Sequence, residues 1–184
     1  KSKVEMLREL GYLDKNGITD KGAFAGKIYG YELSLTELYS QGYLQHMSGT
    51  ELGILAIATV YEPRKGARMP RISRHARMIK KNTDIVMKGI TRLEKKHKVS
   101  PESKDFRYHL SPCIEAWMRG EDFDKVLAYA NADEGEIIRY FRMGVQILRE
   151  VLDTPAPQSF KEKVRIAIRN INRDIIDAEN QLTN

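Results

Sequence analysis

The 184 residues include one cysteine, one tryptophan and six prolines. No run approaches the roughly 18 consecutive apolar residues that a membrane helix needs. The single Cys113 cannot close an internal disulfide and lies in an apolar setting beside Ile114 and Trp117, which points to a reducing, cytoplasmic setting. The four histidines, His46, His75, His97 and His109, are scattered without ligand spacing, so no metal site is expected. Gly17-Ile18-Thr19-Asp20-Lys21-Gly22 holds two glycines at phosphate-loop spacing, but Ala23-Phe24 stands where Lys and Ser/Thr would reach phosphate and metal. Carboxylate pairs such as Glu5 with Glu9, or Glu121 with Asp122 and Asp124, read as solvated helix faces, and no catalytic residue is expected. The opening Lys1-Ser2-Lys3-Val4-Glu5 does not resemble a signal peptide and runs straight into a helical pattern. Residues 1–184 are therefore expected to form a single domain, a fragment of a larger protein.

What is present is a globular composition, 41% hydrophobic and 30% charged, in a chain long enough to bury about 70% of its unfolded surface. Apolar residues recur at helical spacing, with no convincing alternation of apolar and polar residues. The expected class is an all-α bundle of about six to eight helices. Asp14-Lys15-Asn16-Gly17 is a turn signal that leaves room for a small winged-helix-like element at the N-terminus.

Ser48-Gly49-Thr50-Glu51 opens a helix whose Leu52, Ile54, Leu55, Ile57, Ala58, Val60 and Tyr61 leave almost no polar face before Pro63. A helix apolar all round is a central one. A long helix is expected over 72–96, another from Ser111-Pro112 through Trp117, and a short one over 122–130. Asn131-Ala132-Asp133-Glu134 and Ser159-Phe160-Lys161-Glu162 each have the form of a capping box. The terminal helix is expected to carry Val164, Ile168, Ile171, Ile175 and Leu182 inward.

The 31 basic and 25 acidic residues leave a net charge of +6, and the surplus is clustered. From Pro63 to Lys81 there are eight basic residues, among them Arg64, Lys65, Arg71 and Arg74, and no acidic one. Such a run can neutralise several backbone phosphates. On the helix from Gly135 to Leu152, Ile138, Phe141, Val145, Leu148 and Leu152 share one side, while Arg139, Arg142, Gln146 and Arg149 fall in a narrow arc on another. Guanidinium groups on a rigid helix hold the fixed spacing that phosphate recognition uses. Arg165, Arg169 and Arg173 read as a solvated face, with Arg173-Asp174 as an alternative inward anchor.

Seven stretches in order carry a resemblance. They are Leu7 to Tyr12, Lys21-Gly22-Ala23-Phe24-Ala25, Glu32 to Leu38, Ser48 to Glu62, Trp117-Met118-Arg119-Gly120 with Phe123, Glu134 to Arg139, and Arg173-Asp174-Ile175. The chain resembles the C-terminal helical domain (DSHCT domain) of the superkiller-like DExH-box RNA helicases, the exosome-associated group and its bacterial relatives. The resemblance implies a domain packed in cis on two RecA-like ATPase domains, closing a channel for single-stranded RNA, with one helix lying along the strand as a ratchet. It implies that ATP and Mg²⁺ bind outside this chain and that RNA-degradation machinery is a further partner. It makes Arg139 and Arg142 RNA contacts, and Glu62 a carboxylate that approaches a base from the channel wall. Two departures stand out. The family usually has two adjacent basic residues in the ratchet helix, where this chain has Arg142-Met143, and the basic run after Glu62 is denser than the family's.

Two other readings suit the same residues. One is a DNA-binding regulator with a helix-turn-helix over 124–152, although the helix start Gly135-Glu136-Ile137-Ile138 offers a duplex little to read. The other is a protein-interaction scaffold whose arginines meet acidic partners. Single-stranded DNA in place of RNA also fits a grip made through phosphates.

Overall fold

The structure is a computed structural model that describes residues 2–130 and 132–179. Among these residues the chain is an all-α bundle with one two-stranded sheet. The helices are α1 (Ser2–Glu9), α2 (Asp20–Ala25), α3 (Glu32–Ser40), α4 (Gly49–Val60), α5 (Arg74–Lys96), α6 (Ser111–Met118), α7 (Phe123–Leu127), α8 (Glu134–Leu152) and α9 (Gln158–Ile171). The count exceeds the expected six to eight because α2 and α7 are pieces of only six and five residues.

β1 (Leu13–Asp14) and β2 (Gly17–Ile18) pair antiparallel with Leu13 opposite Ile18. The turn between them is closed by Asp14, whose carboxylate accepts from Asn16 N at 2.7 Å. Helix, wing and helix are thus the small N-terminal element that the turn signal suggests. Thr19 then caps α2, accepting from Gly22 N at 3.1 Å. Gly22 is required there, because a Cβ would collide with the backbone carbonyl of Tyr12.

α4 is the central helix. Ser48 and Glu51 form a full capping box, with both bonds at 3.2 Å, and every residue from Leu52 to Val60 is buried. α8, α9 and α6 pack against it. Two glycines allow the close approach: a Cβ on Gly53 would strike Met118, and one on Gly144 would strike Ile57. Trp117 is wholly buried and its indole N–H donates to Ile171 O at 2.8 Å. That bond matters because an unpaired buried donor costs about 1–3 kcal/mol.

Several sequence-based expectations change. α8 is capped by Asp133, which accepts from Glu136 N at 2.9 Å, whereas Asn131 lies outside the described residues. The N-cap of α9 is Pro157, two residues before the expected cap Ser159, and it makes no side-chain cap bond, so Ser159 sits inside the first turn. The helix ends at Ile171, and a 3₁₀ turn at Asp174–Ile176 buries Ile176 more fully than Ile175. Leu182 lies outside the described residues.

Candidate nucleic-acid interface

α8 buries Ile137, Tyr140, Phe141, Gly144, Val145, Ile147, Leu148 and Val151. The 3.6-residue period therefore turns Arg139, Met143, Gln146 and Arg149 outward, and all four are exposed. Arg139 and Arg149 stand about 15 Å apart along the axis. Arg142 belongs to the same arc but is half-buried. Its Nη2 donates to Ile175 O at 2.9 Å and its Nε to Ile176 O at 3.1 Å. This guanidinium fastens the segment after α9 onto α8.

The end of α4 is held against α8. Tyr140 donates its hydroxyl to Glu62 O at 3.2 Å, and the rings of Tyr61 and Tyr140 meet edge to face at 4.9 Å. Glu62 is exposed and is bonded by Lys104. The hydrogen bond and charge of Lys104, and then the charge of Arg139, hold the Glu62 carboxyl below the usual carboxylate range. Glu62 and Arg139, each expected to meet RNA, are thus electrostatic neighbours. The Arg139 guanidinium lies 4.6 Å from the Tyr140 ring centre.

The basic run divides. Arg64 turns back onto α8, 2.9 Å from Glu136 and 3.5 Å from Asp133. With 71% of its side chain exposed, these are surface pairs worth at most about 1 kcal/mol. Lys65, Arg71 and Arg74 are exposed and have no acidic partner among the described residues. The loop Gly66–Pro70 arches over a cavity of about 400 Å³ walled by Tyr61, His109 and Tyr129. His109 Nδ1 is buried there with no hydrogen-bond partner among the described residues. Burial, with the charge of Arg107, pushes the His109 imidazole below its usual range.

Other features noted in the sequence resolve structurally. Arg173 is an anchor, but not through Asp174 alone: its Nη2 donates to Trp117 O at 2.7 Å and to Glu121 O at 3.0 Å, and its guanidinium lies 3.5 Å from the Trp117 ring centre. Asp174 accepts from it at 2.7 Å on the exposed side. Burial pushes the Cys113 thiol up to about 12, so it is a packing residue at neutral pH. Among the described residues no three His, Cys, Asp or Glu side chains gather where they could hold a metal, and no helix is long and apolar enough to cross a membrane. Lys104 and Tyr140 were not foreseen. Lys104 is 42 positions from Glu62 and carries no local signal, whereas Tyr140 follows Arg139 and reads only as core.

The family model of the DSHCT (NUC185) domain matches residues 15–179. The chain is 27% identical over 186 residues to the DExH-box ATP-dependent RNA helicase DExH9 of Arabidopsis thaliana, an alignment covering 97% of this chain and 19% of that protein. It is 24% identical over 187 residues to the Exosome RNA helicase MTR4 of Homo sapiens, covering 97% of this chain and 18% of that protein. It is 25% identical over 197 residues to the Antiviral helicase SKI2 of Saccharomyces cerevisiae, covering 96% of this chain and 15% of that protein. The chain therefore spans less than a fifth of the length of each of these relatives.

Proposed function

The chain belongs to the DSHCT (NUC185) domain family, and from that premise we propose that it is the RNA-channel domain of an ATP-dependent DExH-box RNA helicase. Its α8 is the ratchet helix, along which single-stranded RNA runs. Arg139 and Arg149 hold phosphates, Gln146 and Met143 face the strand between them, and Glu62 approaches a base from the neighbouring wall. The observation that carries this reading is the solvent face of α8, a rigid row of Arg139, Met143, Gln146 and Arg149 backed by a fully packed core. A rigid row keeps donors at fixed separation and loses little entropy when a strand docks. Lys65, Arg71 and Arg74 add sequence-independent affinity at the edge of the track.

ATP hydrolysis with Mg²⁺ is assigned to RecA-like domains in cis, and this domain supplies grip between their strokes. RNA-degradation machinery is the fitting wider partner, because the human relative is named an exosome RNA helicase. A reducing cytoplasmic setting suits the buried, unpaired Cys113 thiol.

Arg142 acts from behind this surface. Its bonds to Ile175 O and Ile176 O make it a positioning residue for the segment that closes on α8. The test is fluorescence anisotropy of labelled single-stranded RNA at two salt concentrations, beside single-stranded DNA and duplex DNA, with an Arg139→Gln/Arg149→Gln variant. The expected result is preference for the single strand, weakening with salt and with the double substitution. Preference for duplex DNA would support a regulator instead, and absence of nucleic-acid binding a scaffold.

A further inference from the structure

A second cluster of cations lies outside the α8 track. Along α5 the buried residues Ala76, Ile79, Thr83, Val86, Met87 and Ile90 define one side. Lys88, Arg92 and Lys95 recur at i, i+4 and i+7, which turns them together onto the opposite, exposed side. They line a groove of about 600 Å³, whose remaining walls include Met69 from the basic loop and Phe106 and Arg107 from the segment before α6.

The charge balance of this groove is open. Its two acids are already engaged: Lys80 holds Asp84 at 2.8 Å, and Arg107 stands 3.8 Å from Asp105. Lys88, Arg92 and Lys95 have no acidic partner among the described residues. Like charges at i, i+4 spacing oppose each other by only a few tenths of a kcal/mol per pair, and the C-terminal end of α5 favours cations, so the helix holds this cluster in place without neutralising it. The three span about 10 Å along the axis, about the rise of three nucleotides at 3.4 Å per step. The half-buried Phe106 ring and Met69 give the groove an apolar wall beside its cationic one, as single-strand grooves combine base contacts with phosphate contacts. The loop that follows Glu62 reaches this groove through Met69, carries Arg71, and leads into α5 at Arg74.

We propose that the α5 groove is a second RNA-binding site, in which Lys88, Arg92 and Lys95 hold the sugar-phosphate backbone of single-stranded RNA flanking the stretch on α8. The choice of RNA rests on the RNA-channel reading above; the site itself rests on the groove and its unpaired cations.

The experiment is anisotropy of the 184-residue chain with labelled oligo-uridylate of about 30 nucleotides, long enough for two sites of about 4–16 nucleotides each. It compares wild type, Lys88→Gln/Arg92→Gln/Lys95→Gln and Arg139→Gln across a tenfold range of salt. All three α5 side chains are exposed, so circular dichroism and the melting curve of the triple variant should match wild type. Loss of three phosphate contacts removes about 2 from the slope of log affinity against log salt. The tenfold rise in salt should then weaken wild type about 100-fold more than the triple variant. If the triple variant keeps wild-type affinity and slope while Arg139→Gln weakens binding, the groove is overturned and the α8 reading stands. If the triple variant weakens binding and Arg139→Gln does not, the groove stands and the α8 reading falls. No RNA binding by wild type overturns both. Displacement of RNA by polyglutamate more readily than by unlabelled RNA of equal charge overturns RNA as the occupant in favour of an acidic protein.

Discussion

Helices α5 and α8 both carry basic residues at helical spacing, yet they use them differently. On α5, Lys88, Arg92 and Lys95 meet no carboxylate among the described residues and are open to a ligand. On α8, Arg139 and Arg142 are three positions apart, and one faces solvent while the other is bound to backbone carbonyls of Ile175 and Ile176. Arg173 goes further than Arg142, stacking on Trp117 and donating to two carbonyls. An arginine's role is thus set by what lies across from it. A lone carbonyl array draws it into the fold, and an open face leaves it for a polyanion.

The contrast can be broken at its structural end first. Arg173→Ala removes the stack on Trp117 and donors to Trp117 O and Glu121 O. It should cost about 3 kcal/mol of stability in urea unfolding. A cost below about 1 kcal/mol would put Arg173 among the surface arginines. Arg142→Ala strips two carbonyls of their donor and should cost about 2 kcal/mol; RNA affinity lost without any drop in stability would instead make Arg142 a direct contact. Arg139→Ala should leave stability within about 0.5 kcal/mol and lower the RNA salt slope by about 0.7, one phosphate contact on a single strand.

The smallest effect concerns His109. Its folded-state pKa is depressed by burial first and Arg107 second, so the unfolded chain binds a proton more readily. The neutral imidazole therefore contributes stability that is full above about pH 6.5 and is lost as pH falls through the lower folded value. Unfolding midpoints at pH 7.5 and 5.5 should differ more in wild type than in His109→Gln. Equal differences would remove His109 from the pH response.

Much of this was legible from local pattern. α4 announced itself because Ser48 and Glu51 cap each other, Leu52 to Val60 are apolar, and Pro63 follows. The outward face of α8 followed from its period, and the wing from Asp14 to Gly17 followed from turn chemistry. What local pattern could not carry was partnership across the chain. Ile175 and Ile176 lie 33 and 34 positions from Arg142, so nothing beside that residue distinguishes it from Arg139. The pairing of Lys104 with Glu62 was hidden for the same reason. The cap of α8 is Asp133, whose carboxylate meets the N–H of Glu136. Pro157, with its fixed φ, started α9 ahead of Ser159.

The most direct test concerns where RNA lies. A photo-crosslinking p-benzoylphenylalanine in place of Met143, which is exposed between Arg139 and Arg149, should join bound single-stranded RNA in high yield. The same probe in place of Ile166, exposed on α9, should join it weakly. Equal yields at the two positions, or none at Met143 while RNA is bound, would contradict a strand running along α8.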